Sequence, residues 1–106
     1  MSLDVDLYLG DERVAEFNFT HNLNRMADEA GIYRPLWRGE EYGITTARQL
    51  YDALEPKVRI LAEDRERFEK FDAENGWGTW ELFVPRLYVL LGACAMYPNA
   101  RVEFDR

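Results

Sequence analysis

The chain has 106 residues and reads as one domain spanning residues 1–106, long enough to bury roughly 60–70 % of its unfolded surface without disulfide or metal staples. Its hydrophobic share of 47 % is that of a globular protein, with no apolar run long enough to span a bilayer. Twenty acidic against thirteen basic residues leave a net charge of −7, which argues against binding nucleic acid through its phosphates and favours solubility and basic partners.

From the N-terminus, Leu3 to Leu9 alternate: Leu3, Val5, Leu7 and Leu9 share one face, Asp4, Asp6 and Tyr8 the other, as in a half-buried strand. Gly10-Asp11-Glu12 is a turn, and Arg13 to Phe19 alternate again, with Ala15, Phe17 and Phe19 on one face. The two runs form a β-hairpin, although Val14 falls on its polar side. Thr20 is placed to cap a helix that carries Leu23, Met26, Ala27 and Ala30 and ends at Gly31. Residues 32–43, with Tyr33, Pro35, Trp37 and Tyr42, are expected to form a long loop.

Thr45 or Thr46 caps the next helix, whose stripe Ala47, Leu50, Leu54, Val58 and Leu61 stays in phase across Pro56. That phase favours one kinked helix over two. Asp64 caps a short helix with Phe68 and Phe71, and Asn75–Gly78 is a loop. Thr79 caps the last helix, with Phe83, Leu87, Leu90, Leu91 and Cys94 inward; Pro85 predicts a kink or a later start. Tyr97-Pro98-Asn99 ends it, and Ala100 to Phe104 alternate as a final strand. A lone hairpin is marginal, so that strand is expected to pair with Leu3–Leu9. The fold class is α+β: a small antiparallel sheet packed on one face by three to four helices.

Cys94, the single cysteine, has no partner for a disulfide, and Met1-Ser2-Leu3-Asp4 lacks the basic and apolar regions of a signal peptide. Both point to a cytoplasmic location. Cys94 lies on an apolar helical stripe, which makes it a small core residue. Glu40-Glu41, Glu63-Asp64 and Asp4 with Asp6 match no calcium, zinc or glycosidase spacing. No phosphate-binding glycine loop, CxxC or GxSxG is present. No cofactor or metal is expected.

The chemistry-bearing residues concentrate where regular structure is weakest. His21, the only histidine, and Asn22 stand at a helix start, where free backbone amides favour anions and a neutral imidazole. They form either a general base with an orienting amide or a local tie between hairpin and helix. Asn75-Gly76-Trp77-Gly78 sets an indole between two glycines, which reads as a stacking platform or as a packed loop that anchors the last helix. Trp37 is the second indole of the platform reading, since two indoles could sandwich a ring. The candidate binding set is therefore His21, Asn22, Trp37, Asn75 and Trp77, with His21 the one catalytic candidate.

The segments Thr20-His21-Asn22-Leu23, Met26-Ala27, Gly31-Ile32-Tyr33, Leu36-Trp37-Arg38 and Glu74-Asn75-Gly76-Trp77-Gly78-Thr79 resemble a group of small hypothetical proteins of bacteriophage and prophage genomes. The resemblance runs from Thr20 to Thr79, and the His-Asn and Asn-Gly-Trp-Gly segments are its most specific parts. It lends no catalytic residue. It implies a phage protein acting in the host cytoplasm on a host or defence component. Three readings stand: a non-enzymatic binding protein for a host protein or nucleotide-like small molecule, a small enzyme using His21 as general base, and a structural or assembly protein.

Overall fold

The two alternating ends of the chain meet in one three-stranded antiparallel sheet. A computed structural model describes all residues, Met1–Arg106. Strand β1 (Ser2–Leu9) is central, between β2 (Glu12–Thr20) and β3 (Arg101–Asp105). Val5 pairs with Phe17 on one side and Phe104 on the other, so the pairing of both chain ends is as the alternation predicts. Leu3, Val5, Leu7, Phe17, Phe19 and Val102 are buried on one sheet face. The off-phase Val14 has a simple cause. Leu7 pairs with Ala15 but Tyr8 pairs with Arg13, so Val14 is the extra residue of a β-bulge, which restores the inward phase beyond it.

Five helices complete the domain: α1 (Asn24–Glu29), α2 (Tyr33–Trp37), α3 (Ala47–Glu63), α4 (Arg65–Glu69) and α5 (Trp80–Met96). Helix α1 is preceded by a 3-10 turn, His21–Leu23, whose cap is the Thr20 hydroxyl accepting from the Asn22 amide. Gly31 takes φ 78° just past the end of α1, a conformation that favours glycine. Thr46 caps α3 in a reciprocal box with Gln49, and Thr79 caps α5 through the Leu82 amide. Each such cap contributes about 1 kcal/mol.

One sequence expectation needs correction, and one alternative left open is decided. Residues 32–43 are not a loop: they form α2 and a second 3-10 turn, Gly39–Tyr42. Ile32, Leu36 and Trp37 are buried there, so packing rather than propensity makes the segment helical. The same segment takes the number of helices to five. Helix α5 also starts at Trp80 and runs through Pro85, with no later start. Pro85 and Pro56 are both exposed, as are Glu81 and Asp52 four residues before them. The carbonyl that each proline leaves without a partner thus lies on the solvent side, where water can satisfy it.

The core contains 27 buried residues from the sheet and the helices, and α3 packs against α5. The outer edge of β3 is covered by the entry to α3, where Val102 donates to Thr45 and Ala47 donates to Ala100. This contact shields an edge that would otherwise be open to pairing with another chain. No helix is long and apolar enough to cross a membrane.

Candidate binding site

The five residues singled out in the sequence are joined by two sets of hydrogen bonds that meet at the His21–Asn22 peptide link, in roles different from those expected. His21 and Asn22 are adjacent in the 3-10 turn and face two separate partners. The Trp37 indole N–H donates to His21 Nδ1 at 3.0 Å. The Asn22 side-chain amide donates to the Trp77 carbonyl at 2.8 Å, across 55 positions of sequence. Asn75 Oδ1 accepts from the Trp77 amide at 2.9 Å.

Trp37 does not lie on the surface. Only 1 % of it is exposed. Its ring stacks on Tyr33 at 5.8 Å and meets Phe19 and Phe83 at tilted or edge-on angles. A ligand sandwiched between Trp37 and Trp77 is excluded, because Trp37 has no free face. Its carbonyl is held as well, by the Arg106 guanidinium. Aromatic composition marked this segment, but a hydrophobic helix packed under the sheet gives the same composition as a binding loop.

His21 is half-buried. Because its Nδ1 accepts from the indole, the neutral ring carries its proton on Nε2. The free edge of the imidazole is then an N–H donor with no lone pair to offer as a base. The general-base reading loses its chemistry here, and the local tie describes what His21 does: it joins the end of the hairpin to α2. No group of three or more His, Cys, Asp or Glu side chains is placed to hold a metal ion.

Trp77 is the opposite case. It is 73 % exposed, yet its backbone is pinned on both sides by Asn75 and Asn22. Gly76 and Gly78 take φ of 77° and 114°, and a Cβ on Gly78 would stand 2.9 Å from the Asn22 Cβ. The turn thus needs glycine at both positions, and at Gly78 also because the backbone passes close to Asn22. The Trp37 and Trp80 indoles donate to His21 and to the Leu61 carbonyl, whereas the Trp77 indole N–H has no acceptor in the protein.

The exposed indole forms one wall of a cleft of about 460 Å³ between the end of β2 and the first turns of α5. Phe19, Leu23, Leu82 and Phe83 line it with apolar surface, and Arg86 and Asn18 add polar groups. Arg86 makes no ion pair and also lines a second, acidic cleft with Asp4, Asp6 and Glu16. Burial raises the Asp6 carboxyl above its ordinary range, against the pull of Arg13. Leu82, Phe83 and Arg86 were not among the sequence candidates. The helical stripe placed Phe83 in the core, and an exposed leucine carries no signal by itself.

A third cleft, on the His21 side, is lined by Asn22, Arg25, Lys70 and Phe71. Arg25 and Lys70 both lie over the Phe71 ring, at 5.9 and 5.5 Å. Asp72 and Glu74 also line this cleft and offset its cations.

Comparison of the chain with protein-family models finds no match, and comparisons with curated proteins and with solved structures find none either. The fold and the cleft therefore carry the functional reading alone.

Proposed function

We propose that this protein is a non-enzymatic binding protein whose contact site is the Trp77 cleft. The observation that supports this most is the state of Trp77: a rigidly held backbone presenting a largely exposed indole. A pinned aromatic side chain enters a complex with little ordering left to do, which is how anchor residues at interfaces contribute. The volume of the cleft is in the range of small-ligand sites.

The chemistry of the lining favours one kind of target. Phe19, Leu82 and Phe83 suit an aromatic or branched apolar group, and Arg86 suits a negative charge beside it. An apolar side chain next to a carboxylate on a host or defence protein has this form, as does a small aromatic anion. The phage context comes only from the resemblance of the Thr20–Thr79 segments. A nucleic-acid backbone is not the proposed target, given the net charge of −7.

Anilinonaphthalene sulfonate combines the two features, an aromatic body and an anionic group. Titrated into the isotopically labelled protein, it should shift the Gly76, Gly78 and Leu82 amides and one of the three indole N–H signals. Trp77→Ala should remove these shifts with the melting temperature preserved. Shifts scattered over the molecule, or unaltered in Trp77→Ala, would refute the site.

A further inference from the structure

Helix α5 is apolar on both sides. Its inner arc of Phe83, Val84, Leu87, Leu90, Leu91 and Cys94 belongs to the core. Its outer arc is apolar too: Leu82, Tyr88, Val89 and Met96 are 61 %, 48 %, 60 % and 70 % exposed. Glu81 and Arg86 are the only charged residues in the whole helix. A surface helix ordinarily carries its charges on the outer face, and one that is apolar all round is normally buried.

We propose that this outer arc is the interface of a homodimer, formed by antiparallel packing of α5 on α5 of a second copy about a two-fold axis at Val89. Three observations on this helix point to a second copy. The first is extent: the exposed apolar residues run from Leu82 to Met96, about four turns of the helix. The second is self-complementarity, which a two-fold interface demands. With Val89 on the axis, Leu82 comes opposite the partner's Met96. Pro85 and Arg86, both bulky, come opposite the partner's Ala93 and Gly92, both small.

The third observation is Gly92. It lies inside a regular helix, where glycine is unfavourable relative to alanine. A Cβ placed on it meets nothing within 4 Å, so no contact within the chain requires its absence. A second helix passing close to the backbone does require it. The interface adjoins the Trp77 cleft, with which it shares Leu82 and Arg86; Val89, Gly92 and Met96 belong to the interface alone, so substitutions at Val89 and Met96 test it separately.

Sedimentation equilibrium over a series of protein concentrations tests the proposal. The expected result is a mass rising from one copy to two with concentration. Association should strengthen with salt, because each copy carries −7 and the interface itself is apolar. Val89→Glu sets two carboxylates against each other on the axis and should leave single copies with an unchanged circular dichroism spectrum. Under mild oxidation Val89→Cys should form a covalent dimer and Met96→Cys should not, while the double variant Leu82→Cys/Met96→Cys should. Cys94 is buried and does not compete. A single-copy mass at every concentration, a dimer that survives Val89→Glu, or cross-linking of Met96→Cys as efficient as that of Val89→Cys would each overturn the proposal.

Discussion

Trp37 donates its indole N–H to Nδ1 of His21 at 3.0 Å, and this bond ties the end of the β-hairpin to the buried face of α2. A sequence reading makes these two residues the best candidates for ligand contact. In the fold they satisfy each other. The indole of Trp37 is buried, so its N–H needs an acceptor, and the only histidine supplies it.

His21→Ala should therefore lower stability by about 1–3 kcal/mol, because it leaves the Trp37 N–H buried without a partner. For a domain of this size the melting temperature should fall by roughly 4–8 °C per kcal/mol. Trp37→Phe removes the donor and part of the packing together. In the double variant the two effects should be clearly less than additive. Calorimetry of the two single variants and the double variant measures the coupling. Full additivity would mean that the bond contributes nothing.

Phe104 and Gly39 make a second close pair. A Cβ on Gly39 would collide with Phe104 Cζ. Gly39→Ala should then cost about 1–3 kcal/mol through overpacking, and Phe104→Leu should recover part of that loss. Phe104 itself is only partly buried, at the rim of the sheet. Phe104→Ala should accordingly cost less than the ~3–5 kcal/mol of a fully buried phenylalanine. Urea denaturation of the three variants checks both statements.

Cys94 has no exposed surface, and burial pushes its thiol up to about 12. In the unfolded chain it titrates near 8.5. The folded state therefore retains a proton that the unfolded state loses between these two values. The contribution to stability is fully present below the unfolded value and declines as pH rises through that window. Cys94→Ala should flatten this part of the stability profile. In the native protein at neutral pH, Cys94 should not react with a thiol reagent until the protein unfolds.

Much of the fold is legible in the sequence because burial imposes a period on it. Leu3, Val5 and Leu7 announce β1, and Leu50, Leu54, Val58 and Leu61 announce α3, since each row faces one core. The caps Thr20, Thr46 and Thr79 are readable because their chemistry is local. Residues 32–43 mislead for the opposite reason. Pro35, Gly39 and Gly43 suggest a loop, and α2 spans only Tyr33–Trp37, too short to display a period. Its helical state depends on tertiary burial of Leu36 and Trp37, which no local pattern encodes.

The candidate site divides along the same line. His21, Asn22, Trp37, Asn75 and Trp77 do come together, but sequence cannot tell which aromatic residue points inward. Trp37 and Trp77 both lie in short segments with a nearby glycine and a second aromatic residue, and one is 1 % exposed while the other is 73 % exposed. The outer arc of α5 was hidden for a related reason. In a helix that is apolar all round, the inner stripe accounts for the pattern and the surplus on the outside attracts no notice.

Asn22→Ala separates the rigidity of the Trp77 loop from its chemistry. It removes the bond to the Trp77 carbonyl but leaves the indole and the cleft lining in place. Binding of anilinonaphthalene sulfonate should weaken, because the loop must then be ordered on binding. Trp77→Phe should bind better than Trp77→Ala. Isothermal titration of the three variants reads the order of affinities. An Asn22→Ala variant that binds as the unaltered protein does would remove preorganisation from the account.

The pinned, exposed indole of Trp77 is the proposed contact site. The most direct measurement is the tryptophan indole region of the nitrogen–proton correlation spectrum during titration with anilinonaphthalene sulfonate. Each of the three indoles gives one signal, assigned by replacing each tryptophan in turn with phenylalanine. The Trp77 signal should move saturably, together with the Gly76 and Gly78 amides, while Trp37 and Trp80, bonded to His21 and to the Leu61 carbonyl, stay in place. Saturable binding that leaves the Trp77 signal and its flanking glycines unmoved would contradict it.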